Sequence, residues 1–313
     1  MCEAWLVLAS LALEAVIGYP AALHARVPHP VVWAGRSIDA LERAWNVPKY
    51  SPGARRVLGG MAILLVTGVA IAVGSVLEHF SGRGVWGGAI VVVIAGTTGL
   101  AQHSLYTHVN DVLTALRAGD LPAARERVGM IVGRDTQRLD EAGVSAAALE
   151  SLAESFNDGI VAPACWFVVG GLPGLFAYKV LNTADSLIGH KEERWRAFGW
   201  AAARADDLAN LLPARLAGLL LVIAGRGGLS VLFRDAAKHA SPNAGWPEAA
   251  MAGALGTRLG GPTMYDGVLH ERPVFGSGRE PAVDDVVRGL RIYVVACGLL
   301  WLIVAAVGLS CQR

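Results

Sequence analysis

The chain has 313 residues, of which 54% are hydrophobic and 17% are charged, whereas globular proteins carry about 25% charged residues. This composition excludes intrinsic disorder, which requires low hydrophobicity and high charge, and it argues against an ordinary cytosolic domain. The 27 basic and 26 acidic residues nearly cancel, so we expect no nucleic acid partner. A mean hydropathy of +0.45 instead indicates that much of the chain lies in lipid.

Four stretches are apolar enough to cross a membrane, which takes about 20 mainly apolar residues. They are 4–23, 57–77, 85–105 and 292–312. Two further apolar runs are broken: glycines and prolines interrupt 160–178, and Pro213 interrupts 208–225. Broken helices occur at membrane depth where the backbone lines a cavity. We therefore predict that these two runs are re-entrant or cavity-lining segments.

The predicted fold is an all-α polytopic membrane protein with about four to six spanning or re-entrant helices, forming one membrane-embedded domain over 1–313. The region 106–150 is expected to be a soluble helical insertion, in which Asp120 caps a helix with Pro122 in its first turn. Basic residues are concentrated in 24–56, so the positive-inside rule places this stretch in the cytoplasm. We therefore expect an inner (plasma) membrane protein whose polar site faces the cytoplasm.

Five short segments combine glycine, proline and polar residues between the apolar runs. They are 150–159, 178–190, 198–216, 241–256 and 259–267. A structural membrane protein has little use for so many polar residues close to its spans. Because ionisable groups at membrane depth are costly, we take these segments as candidate parts of a functional site.

The first two segments carry groups that suit a cation. Glu154 and Asp158 are four residues apart, so both carboxylates would share one face of a continuing helix. That pattern indicates a divalent metal or an amine, and a solvated helix end is the alternative. The second segment holds Lys179, Asn182, Asp185 and Ser186. The oxygen ligands among them suit magnesium, although the string NTADS would also cap a helix.

The next two segments carry groups that suit an anion. The segment 198–216 holds Arg204, Asp206, Asp207, Asn210 and Arg215. Its arginines could bind phosphate or carboxylate, and a simple internal ion pair is the alternative. The segment 241–256 holds Ser241, Asn243 and Glu248 in a turn that opens a helix. A helix start can bind an anion, whereas an ordinary N-cap with Pro247 in the first turn explains the same residues.

Several catalytic patterns are absent from the sequence. It contains no P-loop motif, no G-x-S-x-G elbow and no H-E-x-x-H. The four cysteines show no spacing typical of metal ligands or of a disulfide framework. Zinc catalysis and a P-loop nucleotide site are therefore not expected.

Taken in order along the chain, these segments resemble the CobD/CbiB family of adenosylcobinamide-phosphate synthases, membrane enzymes of cobalamin biosynthesis. The resemblance rests on PHPVVWAGRSI (28–38), VGRDT (132–136), ESLAESFNDGIVAPACW (150–166), GGLPGLFAYKVLNTADSLIGH (170–190), FGWAAARADDLANLLPARL (198–216), SPNAGWPEAAMAGAL and LGGPTMY. The family's usual ENxxDG reads ESFNDG here, with Ser155 where asparagine is common. Ser155 is therefore not predicted to be a ligand.

The resemblance implies an ATP- and Mg²⁺-dependent ligase that joins a propionate of the corrinoid adenosylcobyric acid to (R)-1-amino-2-propanol or its O-phosphate. ATP would activate the carboxylate as an acyl phosphate, which the amine would then attack. The expected partners are these substrates and membrane lipid. Whether a partner enzyme supplies the amine is left open.

Residue roles follow from the resemblance and from the chemistry of the side chains. The expected catalytic residues are Glu154, Asp158, Lys179 and Asp207. The expected metal ligands are Asp158, Asp185, Asp206 and Asp207. The expected substrate and phosphate ligands are Asn182, Ser186, Arg204, Asn210, Arg215, Ser241, Asn243 and Glu248.

Two other classes of protein fit parts of the pattern. A transporter of a corrinoid or a small amine would also contain broken helices and intramembrane acids, but it predicts two related halves, which the sequence lacks. A scaffold subunit of a membrane complex would not need the dense carboxylates.

Overall fold

The computed structural model describes residues 3–19, 28–81, 87–265 and 267–312. Most of them are helical. The helices are α1 (Glu3–Ile17), α2 (Pro30–Trp45), α3 (Pro52–Ser81), α4 (Gly87–Thr97), α5 (Gln102–Arg117), α6 (Leu121–Gly129), α7 (Glu141–Phe156), α8 (Ala162–Ile188), α9 (Trp200–Ala209), α10 (Leu211–Gly225), α11 (Leu229–Asp235), α12 (Gly245–Leu255) and α13 (Val283–Ser310). A π-helical turn, Asn157–Val161, joins α7 to α8.

Four helical runs are long and apolar enough to cross a membrane. They are Pro52–Phe80, Gly87–Arg117, Glu141–Ile188 and Val283–Ser310. Helices α9 and α10, which are bent by 50° relative to each other, form a fifth candidate if they count as one span. The predicted all-α polytopic membrane fold is thereby confirmed.

The boundaries of the spans differ from the predicted ones in instructive ways. The span predicted at 57–77 lies inside α3, and the one at 292–312 belongs to α13, which begins nine residues earlier. The span at 85–105 does not end at its last apolar residue, since the run continues through a turn into α5. For 4–23, the described helix ends at Ile17, and residues 20–23 lie outside the described residues.

The first predicted break is confirmed and is made by two glycines. Gly170 and Gly171 have non-helical backbone angles, and the φ of 59° at Gly171 favours a residue without a Cβ. The Glu78 carboxylate of α3 accepts a hydrogen bond from the Leu172 N–H at 2.6 Å, which satisfies a donor that the break leaves unpaired. Pro173 follows in the first turn of the second half, where a proline costs no helical hydrogen bond.

The second predicted break is also present, but it lies at Asn210 and not at Pro213. Pro213 sits in the first turn of α10, where its missing N–H costs nothing. The bend follows Asn210, whose N–H donates to the backbone carbonyl of Asp206 at 3.0 Å as α9 ends.

The stretch 106–150 is helical as predicted. Asp120 caps α6 by accepting from the Ala123 N–H at 3.0 Å, and Pro122 lies in the first turn. Asp140 caps α7 in the same way, accepting from the Gly143 N–H at 2.8 Å. The candidate spans extend into both ends of this stretch, and its solubility stays a prediction.

The chain divides into two compact units. Unit 1 contains Met1–Ala101, Ala162–Asn210 and Val304–Arg313, whereas unit 2 contains Gln102–Val161 and Leu211–Ile303. In unit 1, α3 packs along α8 around a core that includes Val66, Val180 and Phe198. In unit 2, α10 packs on α12 and α5 packs on α7. A single domain over 1–313 stays a prediction.

Two short antiparallel strand pairs in unit 2 were not predicted. β1 (Leu259–Gly260) pairs with β4 (Val274–Phe275), and β2 (Thr263–Tyr265) pairs with β3 (Val268–His270). They arise in the segment rich in glycine and proline between α12 and α13, whose composition disfavours a helix.

Candidate functional site

In unit 1, α8 and α9 join four polar side chains into a hydrogen-bonded chain, here called the Asp206 network. Asn182 Nδ2 donates to Asp206 Oδ1 at 3.3 Å, and Asn210 Nδ2 donates to the Asp206 carbonyl oxygen at 3.2 Å. Tyr178 completes the network, because its hydroxyl donates to Asn210 Oδ1 at 3.1 Å. Tyr178, Asp206 and Asn210 are buried. Three predicted site residues are thus brought together, and Tyr178 is a member that the sequence did not single out.

Helical spacing explains why these four residues meet. Tyr178 and Asn182 are four apart on α8, and Asp206 and Asn210 are four apart at the end of α9, so each pair shares one helix face. Helices α8 and α9 pack against each other within unit 1. A buried carboxylate is costly unless it is hydrogen-bonded, and here the Asn182 amide supplies a partner for the Asp206 carboxylate.

The Asp206 network adjoins an apolar cavity of about 440 Å³ in unit 1. Its walls are Ile71, Trp166, Pro173, Gly174, Ala177, Tyr178, Leu181, Ala205, Leu208 and Ala209. Tyr178 belongs to both, since its ring lines the cavity and its hydroxyl reaches Asn210. The Trp166 indole N–H donates to the Ala209 carbonyl at 3.0 Å. The polar groups of both aromatic side chains in the wall, this N–H and the Tyr178 hydroxyl, are therefore hydrogen-bonded. Trp166, Pro173, Gly174, Ala177 and Tyr178 of the first broken run lie in this wall, and the placement of the run in the membrane stays a prediction.

The other predicted residues of unit 1 lie around the network in different environments. Asp207 forms an ion pair with Arg204 at 2.9 Å, and the Arg204 side chain is 57% exposed. The Ser186 hydroxyl donates to the Asn182 carbonyl of its own helix at 3.0 Å. Lys179 and Asp185 are half-buried on α8.

The carboxylates of unit 1 do not form a closed metal cage. Asp206 and Asp207 are consecutive on α9 and have different partners, Asn182 and Arg204. Among the described residues, no three His, Cys, Asp or Glu side chains lie together in a way that could hold a metal ion. Magnesium, however, commonly takes only one or two protein carboxylates and completes its coordination with phosphates and water.

The predicted pairing of Glu154 with Asp158 assumed a continuous α-helix, which is not what forms. Helix α7 ends at Phe156, and the π-helical turn begins at Asn157. Asp158 accepts a hydrogen bond from Asn157 Nδ2 at 2.7 Å. Because a π-turn inserts an extra residue into the helix, the simple four-residue spacing no longer sets which side chains share a face.

Unit 2 contains a buried charged cluster, here called the Glu150 network. The Glu150 carboxylate accepts from Arg134 at 2.9 Å, from Arg272 at 3.1 Å and from the Gly260 N–H at 2.8 Å. The side chains of Arg134 and Glu150 are only 7% and 6% exposed. Since buried ion pairs lose much of their attraction to desolvation, a network of this kind is weak evidence for stability and stronger evidence for function.

Glu248 is the fourth member of the Glu150 network. Arg272 approaches it at 3.5 Å and His239 at 3.8 Å. Burial raises the pKa of Glu248 well above its usual range, and the nearby Glu154 and Glu150 charges raise it further. The sequence predicted Glu248 as a ligand at a helix start, and the structure places its carboxylate beside Arg272 and His239, with the charges of Glu150 and Glu154 nearby.

A small polar cleft of about 150 Å³ opens beside the Glu150 network. It is lined by Ile131, Val132, Gly133, Arg134, Glu150, Ser151, Glu154, Ser155 and Arg272. Of these residues, Glu154 was predicted to belong to the site. Arg134 and Glu150 lie in two of the motifs that carry the family resemblance, but the sequence analysis assigned no role to either. Ser155, which was not predicted to be a ligand, lies on the cleft wall. Arg272 carried no sequence signal.

The remaining predicted residues of unit 2 form a separate contact. Arg215 donates to Asn243 Oδ1 at 2.8 Å and lies over the Trp246 ring, 4.7 Å from its centroid. The Ser241 hydroxyl accepts from the Asn243 N–H at 3.2 Å, so it stabilises the turn before α12. Ser241 does not cap α12, because the N-cap is Ala244 without a side-chain hydrogen bond, whereas Pro247 lies in the first turn as the alternative expected.

Comparison with known proteins gives a consistent result over nearly the whole chain. The family model of the CobD/Cbib proteins matches residues 7–293. Three relatives carry the name "Cobalamin biosynthesis protein CobD". The Rhodobacter capsulatus protein is 45% identical over 95% of both chains. The Sinorhizobium sp protein is 46% identical over 96% of this chain and 97% of its own. The Brucella suis protein is 45% identical over 96% of this chain and 95% of its own.

No solved structure gives a significant match to the chain. The match of the family model and the relatives' identity over the full length agree with the order of motifs found in the sequence. This chain belongs to the CobD/CbiB family.

Proposed function

We propose that this protein catalyses the ATP- and Mg²⁺-dependent amide ligation of adenosylcobyric acid with (R)-1-amino-2-propanol or its O-phosphate. The family match and the relatives' printed names support a role in cobalamin biosynthesis. The positive-inside rule and the candidate spans favour a multi-pass inner-membrane protein whose site faces the cytoplasm.

The observation that carries the proposal is the contact between the apolar cavity and the Asp206 network. A corrin is broad and partly apolar, and amide groups surround its edge. A cavity of about 440 Å³ with apolar walls suits part of such a ring. Asn182 and Asn210 lie beside it and suit hydrogen bonds with the peripheral amides.

The proposed reaction proceeds in two steps. The propionate oxygen attacks the γ-phosphorus of ATP, ADP leaves, and an acyl phosphate forms. The amine nitrogen then attacks the acyl carbon, its proton passes to a carboxylate base, and inorganic phosphate leaves as the amide forms. Arg204 and Lys179 are the basic groups of unit 1 that suit the phosphates.

Asp206 and Asp207 are the residues of α9 that would hold magnesium. Either carboxylate would supply an oxygen ligand to an ion that takes most of its other ligands from ATP and water. When bound, magnesium would neutralise phosphate charge during transfer. Asp185 on α8 and Asp158 after α7 remain predicted ligands on the same chemical grounds.

The test uses detergent-purified protein with adenosylcobyric acid, Mg-ATP and either amine, and mass spectrometry detects the amide. We expect a product that depends on ATP and Mg²⁺. Replacing Asp207 by Asn removes one charge without changing shape, so it should lower kcat at least 100-fold, about 2.7 kcal/mol, while the protein stays folded.

Wild-type turnover in the Asp207→Asn variant would remove that residue from the site. If the wild type forms no amide, cell extract is added to supply a missing partner enzyme. Absence of product with extract, together with uptake of corrinoid or amine into vesicles, would contradict the ligase and favour transport.

A further inference from the structure

We propose that unit 1 binds the headgroup of an anionic phospholipid at the start of α3, where Arg56 meets Trp200. Lys49 and Arg55 lie in the same short stretch of chain and supply further positive charge. This surface is separate from the apolar cavity and from the Asp206 network. The proposal goes beyond the proposed function and does not depend on it.

The exposed apolar surface of α3 fixes the level at which the lipid begins. Exposed apolar side chains recur along this helix from Val57 to Phe80, whereas the two residues before Val57 are Arg55 and Arg56. Because Pro52–Phe80 is a candidate span, we expect this apolar surface to face the hydrocarbon of the membrane. Arg56 therefore lies at the level of the headgroups, one residue before the apolar surface starts.

Helix α9 places an aromatic side chain at the same level. The helix packs against α3, and a Cβ added at Gly60 would lie 3.8 Å from the Ala201 Cβ. One turn before Gly60, the guanidinium carbon of Arg56 lies 5.8 Å from the centre of the Trp200 ring. Both side chains are exposed. A tryptophan in contact with a cation is typical of the membrane interface, where the indole ring lies among the headgroups.

Arg56 and its basic neighbours have no acidic partner. In the part of the chain that the structure describes, no carboxylate forms an ion pair with Lys49, Arg55 or Arg56. The Arg55 Nε donates instead to the neutral Asn46 Oδ1 at 2.6 Å. Lys49 lies 5.3 Å from the centre of the Tyr50 ring. Neither contact neutralises the charge of the basic group.

The acidic residues of this part of unit 1 do not cancel the surplus charge. Arg194 donates to both oxygens of the Glu42 carboxylate, at 3.0 and 2.8 Å, so this acid is already paired. The connection from α2 into α3, residues 46–56, contains no acidic residue. Together, 30–56 and 189–199 hold eight basic and four acidic residues, which leaves a net charge of +4. The surface therefore favours a ligand with negative charge.

A phosphodiester on an acyl chain matches the chemistry of this surface. Arginine donates paired N–H groups to phosphate oxygens, and the indole N–H of Trp200 is a further donor. The acyl chains of the same molecule would lie along the apolar side chains that begin at Val57, which a free phosphate could not do. A headgroup of net negative charge, such as that of phosphatidylglycerol, gains from the surplus charge, whereas phosphatidylcholine brings its own cation.

The test measures lipid binding by the full chain in a neutral detergent. Phosphatidylglycerol or phosphatidylcholine with the same acyl chains is added in steps, and native mass spectrometry counts the protein with bound lipid. We expect the wild type to bind phosphatidylglycerol more tightly. Arg56→Gln should weaken phosphatidylglycerol binding about fivefold, or about 1 kcal/mol, which is the contribution of one basic residue near an anionic surface. Binding of phosphatidylcholine should not change.

Two variants serve as controls. Arg56→Lys keeps the charge and should retain most of the affinity for phosphatidylglycerol. Arg138→Gln removes an exposed arginine of unit 2 that has no ion pair among the described residues, and it should bind both lipids like the wild type. Thermal unfolding in the same detergent verifies that each variant stays folded.

Several outcomes would overturn the proposal. Equal binding of the two lipids by the wild type would do so, as would equal losses in Arg56→Gln and Arg138→Gln. A loss in Arg56→Lys as large as that in Arg56→Gln would show that charge is not what the surface recognises. Excess Mg-ATP and inorganic phosphate are added as competitors, and displacement of phosphatidylglycerol by either would assign the surface to a free phosphate. Ligation is not measured, so failure of the proposed ligase leaves this test unaffected.

Discussion

In unit 1, the buried carboxylate of Asp206 accepts a hydrogen bond from the Asn182 amide, beside an apolar cavity of about 440 Å³. In unit 2, the buried carboxylate of Glu150 is held by two arginines beside a polar cleft of about 150 Å³. Neutral hydrogen-bonding groups beside a large apolar wall suit a broad molecule with a polar edge. Paired charges around a small cleft suit a small ion.

The comparison teaches that the two substrates of a ligase place opposite demands on their pockets. A broad apolar substrate gains most from surface burial, so its pocket avoids charges that would have to be desolvated. A small polar substrate has little apolar surface to bury, so charge-assisted hydrogen bonds must hold it. Unit 1 offers the first kind of surface, and unit 2 offers the second.

The largest expected effect comes from removing the centre of the Glu150 network. Glu150→Ala leaves the buried Arg134 without its partner, so we expect it to lower the free energy of unfolding by about 3–5 kcal/mol. Thermal unfolding in detergent, followed by tryptophan fluorescence, measures the change. The matched control is Glu280→Ala, because the Glu280–Arg258 pair is 58% and 52% exposed and should contribute less than about 1 kcal/mol. Equal losses in both variants would contradict the distinction between buried and exposed pairs.

An intermediate effect is expected from filling the cavity of unit 1. Ala205→Leu places a larger side chain on its wall and should raise the KM for the corrinoid about tenfold, or about 1.4 kcal/mol. The KM for the amine should stay constant. Leu208→Ile, which conserves volume at another wall position, is the control. A rise in the amine KM alone would contradict the assignment of this cavity to the corrinoid.

The smallest effect is a pH dependence of stability in unit 2. The raised pKa of Glu248 means that the folded state favours the neutral carboxyl, so folding becomes less favourable as pH rises from the usual value of 4.5 through the raised pKa. Glu248→Gln stays neutral at every pH. We therefore expect the free energy of unfolding of the wild type to fall relative to that of the variant over that range, by at most about 1.4 kcal/mol per pH unit, and melting temperatures measured across pH show the change. A difference that does not change with pH would show that Glu248 ionises normally.

The sequence predicted what depends on local spacing. Long apolar runs identified the spanning helices, and Gly170 with Gly171 identified a real break, because both signals lie within one helix. Asn182, Asp206 and Asn210 were also found, since they sit in conspicuous polar segments beside apolar runs.

What the sequence did not predict depends on contacts distant along the chain. Arg272 meets Glu150 across 122 residues, and an arginine in a loop looks like an ordinary solvated charge. The π-turn at Asn157 moved Asp158 out of its expected register with Glu154, and a residue string gives no direct sign of such a turn. The bend at Asn210 was attributed to Pro213 because proline is the usual cause of a kink, although a first-turn proline fits a helix.

The division of the chain has a consequence for how the protein is made. Unit 1 draws on three separated stretches, the last of which begins at Val304, and 162–210 is inserted within unit 2. During synthesis, the first 101 residues must therefore wait for segments made much later before unit 1 can close. No continuous fragment of the chain contains unit 1 without unit 2. The apolar cavity of unit 1 and the polar cleft of unit 2 therefore cannot be separated by expressing two fragments of the natural sequence.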